Sequence, residues 1–288
     1  MKGQEWYQAD GVAEAYEDKR FSRGGRLIDR REKRAVLDAV GAVEDTDVLE
    51  IACGTGRFSV LLADRGADVT ALDISGPMLQ QGREKAAAAG VDGVNFLRGD
   101  AGRLPFPDDA FDVVVAVRFF HLADTPATFM SEMRRVARET VFFDTFNRYS
   151  TRSIYNWALP MGSRLCSRAE VVDLLDHTGL ELVAEDHDFL VPFGFYRQVP
   201  DGVAGAFRAA ESGLARLPLV DRLASVSYWR TRVPDGPEPT PDGAETPTGA
   251  TVEAPTDAED GGIDAGGTDP AIDEDGAAAD GGTHDAGD

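Results

Sequence analysis

The chain has 288 residues, enough for one large domain or two small ones, and a formal net charge of −22. That charge repels phosphates, and no basic patch with interleaved aromatic residues is present, so nucleic acid is not expected as a partner. The longest aliphatic run, Val113–Val117, is far shorter than the roughly 20 residues that span a bilayer, and the N-terminus lacks the apolar core of a signal peptide. We therefore expect a cytoplasmic protein that does not enter a membrane.

The negative charge is concentrated at the end of the chain. Residues 234–288 contain 16 of the 51 Asp and Glu residues and no Lys or Arg, together with 7 Pro, 11 Gly and no aromatic residue. Such a segment cannot bury enough apolar surface to offset the entropy lost on ordering. The sequence therefore predicts one folded domain over residues 1–233 and a disordered acidic tail over 234–288, which serves either solubility or a partner.

Arginine accounts for 25 of the 29 basic residues. Scarce lysine combined with an acidic excess is typical of proteins that stay soluble in very high salt, and a GC-rich genome produces the same arginine bias. Both explanations stay open. The two cysteines, Cys53 and Cys166, are expected as reduced thiols because a domain of this size needs no disulfide.

The first predicted elements, at about residues 1–44, are cap helices ahead of the core, among them an amphipathic helix over Leu27–Val40. From Asp47 to Leu190, short β-branched runs alternate with helical stretches, which is typical of βαβ units in a parallel sheet. The expected strands are Val48–Ile51, Val69–Leu72, Val94–Leu97, Val113–Val117 and Val141–Phe143, then Leu180–Val191 and Leu223–Arg230.

Start and stop signals place helices between these strands. Ser75 opens a helix that Gly90 ends, and Thr125 caps another. Ser167 begins a capping box whose helix stops at Gly179. One further helix is expected over residues 201–216.

Residues 147–166 match neither helical nor strand periodicity, although they are rich in aromatic residues. A loop of this kind between a strand and a helix is either a lid over a pocket or a segment packed on the surface. If it is a lid, Tyr155 and Trp157 are candidate contacts to a substrate.

The strongest chemical signal is VLEIACGTGRF, from Val48 to Phe58, where a buried strand passes through a glycine-rich turn into a helix. Gly54 and Gly56 let the backbone turn tightly and let a ligand lie against it. In a doubly wound sheet, this first turn borders the crevice that binds adenosine-containing ligands. A dinucleotide motif would need a third glycine at position 57, where the chain has Arg57, so a dinucleotide is disfavoured.

An acidic-x-G-x-G-x-G spacing fits instead, matched by Glu50, Ala52, Gly54 and Gly56. Ala52 replaces the first glycine, a change that is tolerable if this residue keeps a negative φ. The pattern resembles motif I of the class I S-adenosylmethionine-dependent methyltransferases. The later run Leu104–Asp112 is similar to the LPF-x-D-x-x-FD segment of the small-molecule branch of that family. The family's Gly-Gly turn before the fifth strand is replaced here by residues 138–140.

The resemblance covers roughly residues 12–190. It implies an α/β fold with a doubly wound, mostly parallel seven-stranded sheet, helices on both faces and an antiparallel last strand. It also implies S-adenosyl-L-methionine as the cofactor. The residues expected to bind it are Glu50, Ala52, Cys53, Gly54, Thr55, Gly56, Asp73, Ile74, Met78, Asp100, Ala101 and Arg118.

Two carboxylates carry the most specific of these expectations. Asp73 ends the second strand, where it can accept hydrogen bonds from both ribose hydroxyls. By resemblance, Asp100 would bind the adenine amino group and Ala101 would supply a backbone donor. Glu50 either orients the amides of the glycine loop or helps the cation indirectly. Cys53 contributes its backbone rather than a nucleophilic sulfur.

The acceptor side is less well defined. In related enzymes the position of His121 faces the transferred methyl group, so His121 is a candidate base, although a histidine held by a local backbone bond is equally ordinary. Arg118 either binds the cofactor's methionine carboxylate or ends a strand. Further candidate substrate contacts are Tyr16, Arg20, Phe21 and Phe119.

The function expected from these features is methyl transfer to an unidentified small molecule by in-line displacement. Two alternatives stay open: an aminopropyltransferase-like enzyme on the same fold, and a non-catalytic cofactor-binding or interaction protein that works through the acidic tail. The remaining histidines and cysteines show no metal-ligand spacing, so no metal is expected.

Overall fold

The computed structural model of the protein describes residue 20 and residues 23–153, 163–214 and 221–234. The chain divides into two units, Met1–Glu238 and Pro239–Asp288. The second unit lies outside the described residues, so the acidic tail and its boundary stay predictions.

The described residues form a seven-stranded sheet flanked by helices. The strands are β1 (Asp47–Ile51), β2 (Asp68–Asp73), β3 (Val94–Arg98), β4 (Phe111–Ala116), β5 (Ala137–Phe146), β6 (Glu181–Asp188) and β7 (Val226–Arg232). The helices are α1 (Gly25–Val40), α2 (Arg57–Ala63), α3 (Gly76–Ala89), α4 (Pro126–Val136), α5 (Arg168–Thr178), α6 (Phe193–Gln198) and α7 (Asp201–Leu214), with short 3-10 turns at Phe120–Leu122 and Asp221–Leu223.

The sheet has the order β3-β2-β1-β4-β5-β7-β6. The first five strands run parallel, and β7 pairs antiparallel with both β5 and β6. The expected doubly wound sheet with an antiparallel last strand is confirmed. The strand order reverses between β1 and β4, and in such sheets ligands bind beyond the carboxyl ends of the strands at that point.

Side chains along each strand point alternately to the two faces of the sheet, and each face carries its own hydrophobic core. On one face, Leu49 and Ile51 of β1 pack with Met133 of α4 and Leu175 of α5. On the other face, Val48 packs in a cluster with residues of α1, α2 and α6. Parallel strands that are covered on both faces need apolar residues at every position, which explains the continuous aliphatic runs in the sequence.

Helix capping follows the predicted chemistry in most places. Ser75 accepts a hydrogen bond from Met78 N, the Ser167 capping box is formed in both directions, and Gly90 is left-handed at the end of α3. Thr125 occupies the N-cap of α4, but its side chain makes no capping bond.

The segment before β5 differs from the expectation of a turn at residues 138–140. Helix α4 ends at Val136 and β5 begins at Ala137, so those residues belong to the strand. The register with β4 shifts between Phe111 and Val113, which absorbs the extra residues as an irregularity in the ladder.

The strand expected over Leu180–Val191 ends early, at Asp188. Phe189 has φ +60°, outside the extended region, so the strand cannot continue through it. The apolar residues that follow lead into α6, a helix that the sequence pattern did not predict.

Within the described ranges, no helix is long and apolar enough to span a membrane. The same residues contain no group of three or more His, Cys, Asp or Glu side chains arranged to hold a metal ion.

Candidate active site

A cleft lies at the carboxyl ends of β1, β2 and β4. Its main part is lined by residues from the glycine loop, the ends of β2 and β4, and helix α1. They include Glu32, Glu50, Ala52, Cys53, Gly54, Thr55, Arg57, Asp73, Ile74, Met78, Arg118 and Phe119, together with Arg20 and Arg197. The structure therefore brings together nine of the twelve residues expected to bind the cofactor.

A side pocket continues this cleft toward β3. It contains Asp100, Ala101 and Phe129, and it shares Ala52, Asp73, Ile74 and Phe119 with the main part. Only Gly56, among the expected cofactor residues, lines neither part of the cleft.

The glycine loop turns through three left-handed residues, Ala52 (φ +54°), Gly54 (φ +55°) and Gly56 (φ +68°). Cys53 N donates to Leu72 O over 3.1 Å, which ties the loop to the end of β2. The expectation that Ala52 keeps a negative φ is wrong. An alanine in this region carries a Cβ that costs roughly 1–2 kcal/mol, so the loop stores strain where glycine would not.

The two glycines of the loop serve different purposes. A Cβ built on Gly54 meets no atom within 4 Å, so this backbone faces the open cleft. A Cβ on Gly56 would approach the Phe96 ring to 2.8 Å and the Gly82 backbone to 3.4 Å. Gly56 is therefore required for packing of α2 against α3 and β3, and Gly54 leaves space for a ligand.

Asp73 is fixed by the backbone on both sides. Gly54 N and Ser75 N each donate to one of its carboxylate oxygens over 2.8 Å. The side chain is 8% exposed, and burial raises its pKa. Each oxygen keeps a lone pair for a second donor, so the oriented carboxylate can accept two further hydrogen bonds.

Asp100 lies at the far end of the side pocket. One of its carboxylate oxygens accepts a hydrogen bond from Gly102 N over 2.8 Å, which shapes the loop after β3 as an Asx turn. The residue is otherwise exposed, and Ala101 beside it is buried. The two carboxylates thus follow neighbouring strands, β2 and β3.

Glu50 lies beneath the glycine loop and is 2% exposed. Its carboxylate accepts a hydrogen bond from the Ser59 hydroxyl of α2. Burial raises the pKa of Glu50 to about 7, although Ser59 and Arg57 act in the opposite direction. Burial also raises the pKa of the Cys53 thiol, which fits the expectation that this sulfur is not a nucleophile.

A buried ion-pair network joins α1 to the cleft, and the sequence analysis missed it. Glu32 accepts from Arg57 Nη2 over 2.6 Å and from Arg118 Nε over 2.6 Å. Burial alone would raise the pKa of Glu32, but Arg118 and Arg57 outweigh it and lower the pKa to about 2. One acidic residue among the several charged residues of an amphipathic helix gives no sign in the sequence of such distant partners.

Arg118 is the residue whose setting differs most from the expectation. It has φ +63° just after β4, its backbone N donates to Asp144 Oδ1 over 2.6 Å, and its Nη1 lies 3.3 Å from Asp144 Oδ2. With Glu32 on the other side, two carboxylates already neutralise this guanidinium. Arg118 lines the cleft, but its ion pairs with these two carboxylates give it a structural role in the wall of the cleft.

His121 lies on the 3-10 turn after β4, with its ring 4.9 Å from that of Phe146. It is not among the residues that line the two parts of the cleft. Burial and then four arginines lower its pKa well below the usual value. The imidazole is therefore neutral, and its basicity is weak.

The remaining acceptor-side candidates divide into two groups. Phe119 is buried between the main cleft and the side pocket, and Arg20 lines the main cleft. The other four lie outside the described residues: Tyr16, Phe21, Tyr155 and Trp157. Their roles stay predictions.

The groups that line the cleft are of the kinds that an adenosyl sulfonium would require. The backbone of Gly54 is open to the cleft, and two carboxylates, Asp73 and Asp100, line its two parts as acceptors that hydroxyl and amino groups could use. The model for the family described as "Methyltransferase domain" matches residues 49–143, which contain this loop and both carboxylates. The chain carries a class I S-adenosylmethionine-dependent methyltransferase domain.

The names of similar proteins support the assignment of a methyltransferase domain. The chain is 41% identical to a demethylmenaquinone methyltransferase of Renibacterium salmoninarum over 109 residues, which cover 38% of this chain and 44% of the relative. It is 33% identical over 161 residues to the protein of the same name from Beutenbergia cavernae, covering 52% and 65%. The chain thus spans about half the length of the curated relatives it matches.

The fold also agrees with solved structures. A magnesium protoporphyrin IX methyltransferase from Synechocystis, with SAH bound, superposes with a TM-score of 0.59 at 14% identity, covering 80% of this chain and 98% of that one. An identity this low shows the fold alone. The expected family, the Rossmann-like fold and S-adenosylmethionine as the cofactor of this domain are confirmed.

Proposed function

We propose that this chain transfers a methyl group from S-adenosylmethionine to a small-molecule acceptor. The observation that carries the proposal is Asp73, which is held by Gly54 N and Ser75 N and lines the same cleft as the open backbone of Gly54. Asp73 would accept the ribose hydroxyls, and Asp100 with Ala101 would bind the adenine.

The chemistry supplied by the bound cofactor is an electrophilic methyl group on a sulfonium sulfur. The protein has to hold that methyl group in line with the acceptor atom and exclude water, which is worth roughly 7–11 kcal/mol. A general base accelerates a reaction by about 10²–10⁴-fold, which is less than the contribution of orientation. The weak basicity of His121 is therefore compatible with the reaction, and a base role for His121 stays a prediction.

The names of the relatives make a quinone ring the first class of acceptor to test. Their activity cannot be carried over whole, because the matched segments cover about half of their length. An aromatic acceptor fits the main part of the cleft, whose lining includes the rings of Phe58 and Phe119.

Direct titration with S-adenosylmethionine tests the cofactor site. Asp73→Ala should weaken binding at least tenfold, because it removes a pre-oriented pair of charge-assisted acceptors. Asp92→Ala is the matched control, since Asp92 is exposed before β3 and should leave the affinity unchanged. Equal affinity of Asp73→Ala and the native protein would contradict the assignment. Cofactor binding without turnover across phenolic and quinol acceptors would favour a non-catalytic binder.

A further inference from the structure

Glu50 is a carboxylic acid buried in a strand between two apolar neighbours, Leu49 and Ile51. It belongs to β1, and Val48, two residues earlier and therefore on the same face of the sheet, packs in the hydrophobic core. Glu50 is 2% exposed, and a buried carboxylic acid costs stability that an apolar side chain of similar size would not. A group of this kind at the edge of a ligand cleft is a candidate for a role in binding.

Among the described residues that line the main part of the cleft, three are acidic, and two of these are already compensated. Glu32 accepts hydrogen bonds from two arginines, and Asp73 accepts them from two backbone amides. Glu50 differs from both. Within the part of the chain that the structure describes, Ser59 is the one residue that donates to Glu50, and no arginine or lysine forms an ion pair with it.

The groups that face Glu50 come from three elements. Burial is the largest influence and raises the pKa of Glu50 to about 7, although Ser59 and Arg57 of α2 favour the ionised form. Asp73 at the end of β2 acts in the same direction as burial. In the glycine loop, burial and then Glu50 raise the pKa of the Cys53 thiol. A change of nearby charge therefore decides whether Glu50 is ionised near neutral pH.

Other titratable groups around the cleft change their charge outside this range. Burial would raise the pKa of Glu32, but Arg118 and Arg57 lower it to about 2. Burial lowers the pKa of His121 well below its usual value and raises that of Cys53 well above. These three groups therefore keep their charge between pH 6 and pH 8.

We propose that Glu50 is a specificity-determining residue, which ionises when the sulfonium cofactor binds and is protonated when the neutral thioether product occupies the cleft. This inference rests on the proposed function, because it takes the main cleft as the cofactor site. When the methyl group leaves, the electron pair of the broken bond stays on sulfur, and the positive charge is lost. Glu50 then takes a proton back from water, so its charge no longer favours the bound ligand.

The loss of the ligand's charge sets the sign of a pH dependence. A nearby cation favours the ionised form of a carboxyl group, so binding of S-adenosylmethionine releases a proton from Glu50. Affinity for S-adenosylmethionine therefore rises from pH 6 to pH 8 more than affinity for S-adenosylhomocysteine, which has the same amino and carboxyl groups without the sulfonium. The ratio of the two affinities should grow at least about threefold over this range.

The test counts protons by calorimetric titration of the full chain at pH 6.5, in two buffers with different ionisation enthalpies. We expect S-adenosylmethionine to release at least about 0.3 proton per site more than S-adenosylhomocysteine. Sinefungin, which has an ammonium group in place of the methyl sulfonium, should behave as S-adenosylmethionine does. Contributions from groups that contact both ligands alike, such as Asp73, cancel in the difference. Equal proton release for the three ligands would overturn the inference.

Two variants assign the proton to Glu50. Glu50→Gln has the shape of the protonated acid and cannot ionise, so both the difference in proton release and the growth of the affinity ratio should disappear. Ser59→Ala removes a donor that favours the ionised form, so the midpoint of the pH dependence should move upward by at least about 0.5 pH unit. Glu44→Gln, in the exposed turn before β1, is the matched control and should behave as the native protein does.

The remaining outcomes overturn the inference in distinct ways. A difference in proton release that persists in Glu50→Gln would assign the titration to another group. An unchanged midpoint in Ser59→Ala would do the same, and this variant keeps the test decisive if Glu50→Gln folds poorly. A purely structural role for Glu50 would lower affinity for both ligands equally and leave their ratio independent of pH. If the native chain binds neither ligand, the proposed function itself fails, whereas binding of both with equal proton release removes only this inference.

Discussion

Glu32 of α1 accepts the Nε–H of Arg118 over 2.6 Å, although the two residues are 86 positions apart. The same carboxylate accepts Arg57, the first residue of α2 after the glycine loop. One buried anion therefore fixes α1 to both sides of the cleft.

Replacing Glu32 by glutamine should destabilise the protein strongly. The substitution leaves two buried guanidinium groups short of a countercharge, and breaking a buried pair in this way costs about 3–5 kcal/mol. Urea unfolding at neutral pH measures the loss. Glu139→Gln, at an exposed position of β5, is the control and should change the free energy of unfolding by less than about 0.5 kcal/mol. A similar small change for Glu32→Gln would contradict the prediction.

Ala52→Gly should stabilise the native protein. Ala52 is held at φ +54°, where glycine has no Cβ penalty, and the expected gain is about 1 kcal/mol. The control is Ala88→Gly, in the exposed face of α3, which should destabilise by about 0.5–1 kcal/mol because glycine lowers helix stability. The two substitutions thus have opposite expected signs in the same urea experiment, and a loss of stability in both would show that Ala52 is not strained.

Gly54→Ala and Gly56→Ala should separate binding from stability. Both residues have positive φ, so each alanine costs about 1–2 kcal/mol. At position 56 the new methyl group also meets the Phe96 ring, which adds at least about 1 kcal/mol. At position 54 the methyl group enters the cleft, so affinity for S-adenosylmethionine should fall at least tenfold. Thermal unfolding and calorimetric titration of both variants give the comparison, and the reverse ranking would sink it.

The stability of the ligand-free protein should depend on Glu50 between about pH 4.5 and 7. Burial raises the pKa of Glu50 from 4.5 to about 7, so the folded state keeps a proton that the unfolded chain has released in this window. Stability contributed by this group therefore falls as pH rises, by about 3 kcal/mol in total.

Glu50→Gln lacks that titration and supplies the comparison. We expect the free energy of unfolding of Glu50→Gln, minus that of the native protein, to increase from pH 5 to pH 8. The contributions of Asp73 and the other carboxyl groups largely cancel in this difference. Parallel curves for the two proteins would mean that Glu50 titrates normally.

The parallel sheet, the family and the position of the glycine loop could be predicted from the sequence. Short β-branched runs between capped helices have few alternatives to a parallel sheet, and the capping box at Ser167 forms as its chemistry requires. The glycine loop and Asp73 could be predicted to lie together because they follow the ends of adjacent parallel strands. The chain topology alone brings those ends to one edge of the sheet.

Features that depend on partners distant in the sequence became evident from the three-dimensional fold alone. The left-handed backbone of Ala52 is imposed by the turn between β1 and α2 and by the tie from Cys53 N to Leu72 O, against the intrinsic preference of alanine. Glu32, Arg57 and Arg118 come from three elements, and nothing in the local pattern of any one of them marks a buried charge. Arg152 lies over the ring of Phe146 and Arg197 lies near that of Phe193, contacts between residues that are distant in the sequence or belong to different turns of the chain. Local propensity and spacing constrain neighbours along the chain, whereas charge compensation deep in the protein is set by which side chains the completed fold brings into contact.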